Sequence, residues 1–267
     1  MDSGARSATV DCTAEDSVIL QQVFAVLGGL EDAPMGTLVV EAGRFFLGTP
    51  YVAHTLEREQ EVLVINLREL DCTTFGETCL AIARTVKSGD QTFGRYAAEL
   101  EKIRYRDGTM DGYPSRLHYF CDWIGNNAQK GIVADLSGEI AQFPLEAGIH
   151  FMSTHPDSYA QLKADSTLVP VIAAQEARLN GFTRYYLPEE ELAGLKEQIQ
   201  SGDILGITTN IDGLAIQHVT IAVWKDDDLH ILHASSAAEE VVLSEGTLED
   251  YLAGSKTGTG VMVARPL

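Results

Sequence analysis

The feature that leaves the fewest folds open is a pair of apolar runs near the C-terminus. Leu214 to Trp224 and Asp228 to Ala234 flank the polar stretch Lys225-Asp226-Asp227-Asp228. Two β-rich runs around a short polar turn predict an antiparallel hairpin. If Trp224 faces Leu229 across that turn, Thr220 faces His233 and His218 faces Ser235. His218 and His233 then share a face as diagonal neighbours, roughly 5 to 8 Å apart. His230 would face Val223 on the opposite side. A slip of one residue reverses both faces, so the pairing depends on the turn. Gly202 to Ile207 before the hairpin and Gly260 to Ala264 after it read as further strands. Either histidine alone is an ordinary surface or core residue. Two on one face point to chemistry if a nucleophile can reach them.

The remainder of the chain reads mainly as helices and loops. Thr13 caps a helix whose apolar positions are Val18, Leu20, Val23, Phe24, Leu27 and Leu30, with Gly28-Gly29 as its stop. A second helix is expected from Gly36 to Phe46, followed by the bend Leu47-Gly48-Thr49-Pro50-Tyr51. Phe93 to Ile103 reads as a helix, Asp107 to Pro114 as a loop, and Ser115 to Ile124 as another helix stopped by Gly125-Asn126-Asn127. Residues 128–182 read as short strands and loops, including a strand-like run ending at Phe151 to Pro156. Ser158 to Ala174 is ambiguous. Pro188 to Gln200 is a helix with proline in its first turn. The glycine-rich stretch Gly254 to Gly260 lacks the glycine spacing of a phosphate-binding loop and reads as a turn.

The candidate nucleophile is Cys72 in Leu70-Asp71-Cys72-Thr73-Thr74-Phe75. The run Glu61 to Leu67 ahead of it suits a strand or a loop. Behind it, Phe75, Cys79, Ile82, Ala83 and Val86 fall on one helix face. Asp71 is a natural N-cap, which puts Cys72 in the first turn. There the unpaired N–H groups and the positive dipole end favour a thiolate. A lone cysteine in a globular chain is more often a small buried core residue. The histidine pair downstream is what raises the chemical reading.

Composition removes several alternatives. The 267 residues carry a formal net charge of -20. That argues against nucleic acid or an anionic membrane as partner, since both call for basic patches. Cys12, Cys72, Cys79 and Cys121 contain no CxxC pair, so a zinc knuckle is not expected. Cys72 and Cys79 on one helix stand about 10 Å apart along its axis, too far for a disulfide. No apolar run reaches the roughly 18 residues of a membrane span. The segment Met1 to Ser7 has no signal-peptide pattern. It fits either a cytoplasmic protein or an exported one whose leader has been removed.

Four segments, in this order, resemble the NlpC-type papain-like cell-wall hydrolases. Leu47 to Tyr51 is similar to the tyrosine turn ahead of the nucleophile. Asp71 to Phe75 is similar to the nucleophile motif, usually DCSGF, with Thr73 and Thr74 in place of Ser and Gly. Gly202-Asp203-Ile204-Leu205 with His218 to Val223 resembles the strand pair that carries the base. His233-Ala234-Ser235-Ser236 resembles the third catalytic position. The spacing from Cys72 to His218 is far longer than in compact members. The added segment, with Val64 to Phe75, resembles the branch of N-acetylmuramoyl-L-alanine amidases acting on small muropeptides.

The resemblance implies an α+β fold. A papain-like cysteine hydrolase core would pack the nucleophile helix on an antiparallel β-sheet, as one catalytic domain over 1–267. A large insertion of about residues 88–200 would lie between the catalytic Cys and His. It also implies Cys72 as nucleophile, His218 as base and His233 as orienting group, with no metal and no cofactor. The implied substrates are peptidoglycan fragments, cut between N-acetylmuramic acid and L-alanine. Tyr51, Asp71, Arg116 and Trp123 are candidate substrate-binding residues: Tyr51 beside the oxyanion, Arg116 on a peptide carboxylate, Trp123 along the sugar, and Asp71 on substrate or, ahead of that, as a cap. The expected location is periplasmic or secreted, with a cytoplasmic one left open. Three rival readings remain: a γ-D-glutamyl endopeptidase, a zinc site built from Cys72, His218 and His233, and a non-catalytic wall-binding module.

Overall fold

The computed structural model describes residues 9–267, so the stretch Met1 to Ser7 lies outside the described residues. The N-terminal half is built of β1 (Val10–Asp11), α1 (Ala14–Leu27), α2 (Met35–Phe45), β2 (Leu63–Val64), α3 (Cys72–Lys87), α4 (Phe93–Arg104) and α5 (Phe120–Gln129). A middle stretch follows: β3 (Val133–Asp135), α6 (Ser137–Ile140), β4 (Phe143–Pro144), α7 (Phe151–Thr154), α8 (Ala160–Ala164), α9 (Val169–Leu179), β5 (Tyr185–Pro188) and α10 (Glu189–Leu195). The C-terminal part holds β6 (Ile204–Thr209), β7 (Ile216–Lys225), β8 (Asp228–Ser235), β9 (Glu240–Leu243), α11 (Leu248–Ala253) and β10 (Gly258–Pro266).

The fold is mixed α+β around one eight-stranded sheet among the described residues. Its order is β4-β5-β10-β6-β7-β8-β9, with β3 also on β10, and every pairing in it is antiparallel. The hairpin of β7 and β8 has the expected register, with Trp224 opposite Leu229 and Val223 opposite His230. Its turn is Asp226-Asp227, both with positive φ (53° and 68°). That backbone matches the twist of the flanking strands, and aspartate tolerates it better than most residues.

Alternation sorts the strands onto two cores. Val219, Ile221 and Val223 of β7 and Leu232 of β8 belong to the larger core, shared with α1 to α5. Ala222, Leu229 and Ile231 belong to a smaller core on the opposite face, closed by Leu192, Leu248 and Leu252 of α10 and α11. The close approach of α3 to β7 is set at Gly76, where an added Cβ would come within 3.2 Å of a Val219 methyl. A buried ion pair, Arg104 Nε to Glu77 at 2.7 Å, joins α4 to α3.

Several local expectations change. The helix expected from Ser115 begins at Phe120 and runs through Gly125-Asn126-Asn127 to Gln129. Arg116 is drawn into a bridge with Tyr105, and the Leu117 N–H donates to the Arg104 carbonyl, so this backbone is already committed. The supposed stop fails because Asn127 donates to the Ile103 and Trp123 carbonyls. Residues 128–182 are largely helical. Phe151–Thr154 is a helical turn, with the Met152 N–H donated to the Tyr119 hydroxyl and the Ser153 N–H to Glu176. Pro188 ends β5 instead of opening the helix that follows. Of Glu61 to Leu67, only Leu63–Val64 is strand, paired in parallel with β1.

Candidate active site

α3 starts as its sequence predicts. Asp71 is the N-cap: its carboxylate accepts the Thr74 N–H at 2.7 Å, while the Asp71 N–H donates to the Thr74 hydroxyl at 2.9 Å. Cys72 is therefore the first helical residue, where the backbone N–H has no acceptor within the helix. It is half-buried at a cavity of about 160 Å³, together with His218, Gln217, His118, Phe120, Met152 and Tyr159.

His218 and His233 meet as the register requires. Their rings cross edge to face, and His218 Nε2 lies 2.7 Å from His233 Nδ1. One of these nitrogens must carry the shared proton. If Nε2 of His218 carries it, His218 Nδ1 is left as a free lone pair and His233 keeps its own proton on Nε2. Burial pushes His218 down to about 3, helped by His233, and pushes His233 down to about 4. Both imidazoles are therefore neutral at pH 7.

The thiolate expected at the helix mouth is not the resting state. Burial first, then the Asp71 charge, push the Cys72 thiol up to about 11, against hydrogen bonds from the Val219 backbone and from Thr73. Desolvation here outweighs the helix end, because a thiolate with few donors loses more hydration than the dipole returns. The site rests as a neutral thiol beside a neutral imidazole.

Tyr51 lies near Cys72. Its backbone bridges to Leu70, and burial together with the nearby Cys72 sulfur raises its phenol pKa. Asp71 acts as a cap. Two substrate-binding expectations are corrected. Trp123 has no exposed surface and stacks on Phe120 with centroids 4.6 Å apart, so Phe120 and not Trp123 reaches the cavity. Arg116 is buried between Glu57 and Glu61, at 3.1 and 3.2 Å, and its guanidinium lies over the Tyr113 ring. Two carboxylates already match its charge, and the buried side chain does not line the cavity that Cys72 lines.

His118 and Gln217, which line the cavity, and Tyr251, which packs on the histidine pair, were not among the residues expected at the site. His118 lies two residues beyond Arg116 on the same extended segment. Its Nε2 is 2.9 Å from the Tyr113 carbonyl, and burial, aided by the Arg116 charge, pushes it down to about 3. Gln217 occupies a bulge: Ile207 pairs with His218 but Thr208 pairs with Ile216. A bulge re-aims side chains, which lets Gln217 and His218, neighbours in sequence, line one cavity. The Gln217 carbonyl oxygen accepts from the Thr257 and Thr209 hydroxyls at 2.6 and 3.0 Å, which turns its amide group away from them. Tyr251, from α11, packs on both imidazoles. No period or motif marks these positions; only the folded sheet gathers them.

The profile of the AmiA-like family, described as N-acetylmuramoyl-L-alanine amidase-like, matches residues 41–260. The chain is similar to a crystal structure of an N-acetylmuramoyl-L-alanine amidase from Bacteroides uniformis, with 40% identity and a TM-score of 0.83. That match covers 87% of this chain and 99% of the other. A Bacteroides fragilis structure named as a candidate xylanase is 41% identical, with a TM-score of 0.80, covering 84% of this chain and 99% of that one. A Legionella pneumophila protein at 21% identity and a TM-score of 0.72, covering 95% and 94%, shows the fold alone. No curated protein matches the chain. These likenesses define a class, the amidase-like peptidoglycan hydrolases. Within it, the chain belongs to the AmiA-like, N-acetylmuramoyl-L-alanine amidase-like family.

Proposed function

We propose that this protein is a cysteine amidase that hydrolyses the bond between N-acetylmuramic acid and L-alanine in peptidoglycan fragments. We assign it a papain-like core: α3 on the antiparallel sheet, with the segment of about 88–200 as an insertion that walls the cavity through His118, Phe120, Met152 and Tyr159. The observation that carries the reading is the 2.7 Å contact between His218 and His233 at a cavity that Cys72 also lines.

With substrate bound, His218 Nδ1 takes the Cys72 proton as the sulfur attacks the lactyl carbonyl. The Cys72 N–H, unpaired at the helix start, donates to the oxyanion. His233 holds the His218 tautomer and ring plane. The tetrahedral intermediate collapses to a thioester, and the imidazolium of His218 protonates the departing L-alanine amine. Water, deprotonated by His218, then attacks the thioester. The muramyl acid leaves and the proton returns to sulfur.

Glycosidic hydrolysis, the chemistry a xylanase name implies, needs two carboxylates flanking the bond. The cavity that Cys72 lines has no Asp or Glu in its wall. Among the described residues, no three His, Cys, Asp or Glu side chains converge as a metal-binding group, so Cys72, His218 and His233 lack the geometry of a zinc site.

The test is mass spectrometry of a muramyl tripeptide digest. Native protein should release free N-acetylmuramic acid and a peptide led by L-alanine, and Cys72→Ala should lose at least about a thousandfold. Cleavage inside the stem peptide would reassign the protein as an endopeptidase. Binding without cleavage would make it a wall-binding module.

A further inference from the structure

The hydrogen bond between His218 and His233 fixes their separation but leaves each ring free to tilt, and it does nothing to keep water away. α11 addresses both. Tyr251 lies nearly parallel to His218, with ring centroids 6.0 Å apart and planes 23° apart. It meets His233 edge-on at 5.7 Å and 81°. The helix that brings it there is held at several points. Thr247 and Asp250 form a capping box, Leu248 and Leu252 are fully buried on the sheet, and Glu249 pairs with Lys196 at 2.6 Å. Burial, and then the nearby Cys72 sulfur, raise the Tyr251 phenol pKa, so it presents an uncharged ring.

We propose that Tyr251 is a positioning residue for the catalytic pair: its ring clamps the imidazoles of His218 and His233 in their crossed orientation and keeps water from them. The inference rests on the cysteine amidase reading. Aromatic rings favour the offset and edge-on contacts seen here, and a flat ring touching both imidazoles restricts both tilts together. The other titratable groups near the site are Cys72, His118 and Tyr159, which line the same cavity as His218, and Asp71 and Tyr51, which lie close to Cys72. Among the described residues, none of these stacks on either imidazole. Taking the ring away admits water to His218 and His233 and moves both toward an ordinary imidazole pKa of about 6.5.

The test compares native protein with Tyr251→Phe and Tyr251→Leu. Three readouts are followed: NMR titration of the histidine rings, the pH dependence of Cys72 alkylation by iodoacetamide, and kcat and KM on a muramyl tripeptide. Tyr251→Phe should behave like the native protein. Tyr251→Leu should raise the His218 titration by more than about one pH unit. It should lower kcat between about tenfold and a hundredfold at nearly constant KM, and shift the acid limb of activity upward. Tyr251→Met, bulky but without a ring, replaces the Leu variant if that one does not fold. Native-like titration and kcat in the ringless variant would overturn the proposal. So would a Phe variant as impaired as Leu, since the hydroxyl would then be the working group. If native protein cleaves no muramyl amide, the function reading fails, yet titration and alkylation still decide the role of Tyr251.

Discussion

His233 is the residue whose role is most open to a direct measurement. In the proposed mechanism a neutral imidazole cannot stabilise the His218 imidazolium by charge as a carboxylate would, so the role proposed for His233 is orientation. His233→Asn keeps a side chain able to accept from His218 Nε2, whereas His233→Ala leaves a buried N–H without a partner. The Asn variant should retain activity within about tenfold, and Ala should lose about a hundredfold or more in kcat. Equal loss in both, by steady-state kinetics, would mean that the second imidazole does more than orient. Gln217 tells a related story. Its carbonyl accepts from Thr257 and Thr209 and its amide donates to the Ser255 hydroxyl at 3.4 Å, so the side chain is held at both ends in the cavity wall. Gln217→Glu replaces donors with acceptors beside a neutral imidazole. It should raise KM more than it lowers kcat.

The element that sets the reach of Cys72, the proposed nucleophile, is α3, through its cap and its contact with β7. Asp71→Ala removes the acceptor of the Thr74 N–H and should cost about 1 kcal/mol in denaturant unfolding, with Asp71→Asn largely restoring it. Gly76 lies one turn beyond Cys72 and faces Val219, the residue after His218. An added methyl there must push helix and strand apart by a few tenths of an ångström. Gly76→Ala should therefore cost about 1 to 3 kcal/mol and lower kcat more than KM changes. Unchanged kcat would show that the distance between α3 and β7 does not govern the cysteine–histidine encounter. α5 shows the reverse case. Its apolar period was visible, but its start moved because the backbone of Arg116 and Leu117 is engaged by Tyr105 and Arg104.

Across the whole molecule, three histidines are held neutral. His118 and His218 are pushed down to about 3 and His233 to about 4, each with burial as the main cause. In the unfolded chain each titrates near 6.5, so between about pH 6.5 and 4 the unfolded state binds more protons. Stability is then full above about pH 6.5 and falls as the solution is acidified, by up to about 1.4 kcal/mol per pH unit for each histidine. Calorimetry should show Tm dropping from pH 7 to 5, and His118→Gln should flatten that slope. A Tm independent of pH in this window would contradict the neutral-histidine account.

Local periodicity determined much of this protein. The hairpin register, the cap at Asp71, the first-turn position of Cys72 and the meeting of His218 with His233 all follow from alternation, helix spacing and turn chemistry, which act over a few residues. What the tertiary structure alone decided lies where distant backbone or burial competes with those rules. It delayed α5, made helices of much of 128–182, locked Arg116 and Trp123 away from the cavity, brought His118 and Gln217 to it, and set Tyr251 on the histidine pair. It also set the charge state of the site, because desolvation depends on everything packed around a sulfur or an imidazole and not on its neighbours in the chain.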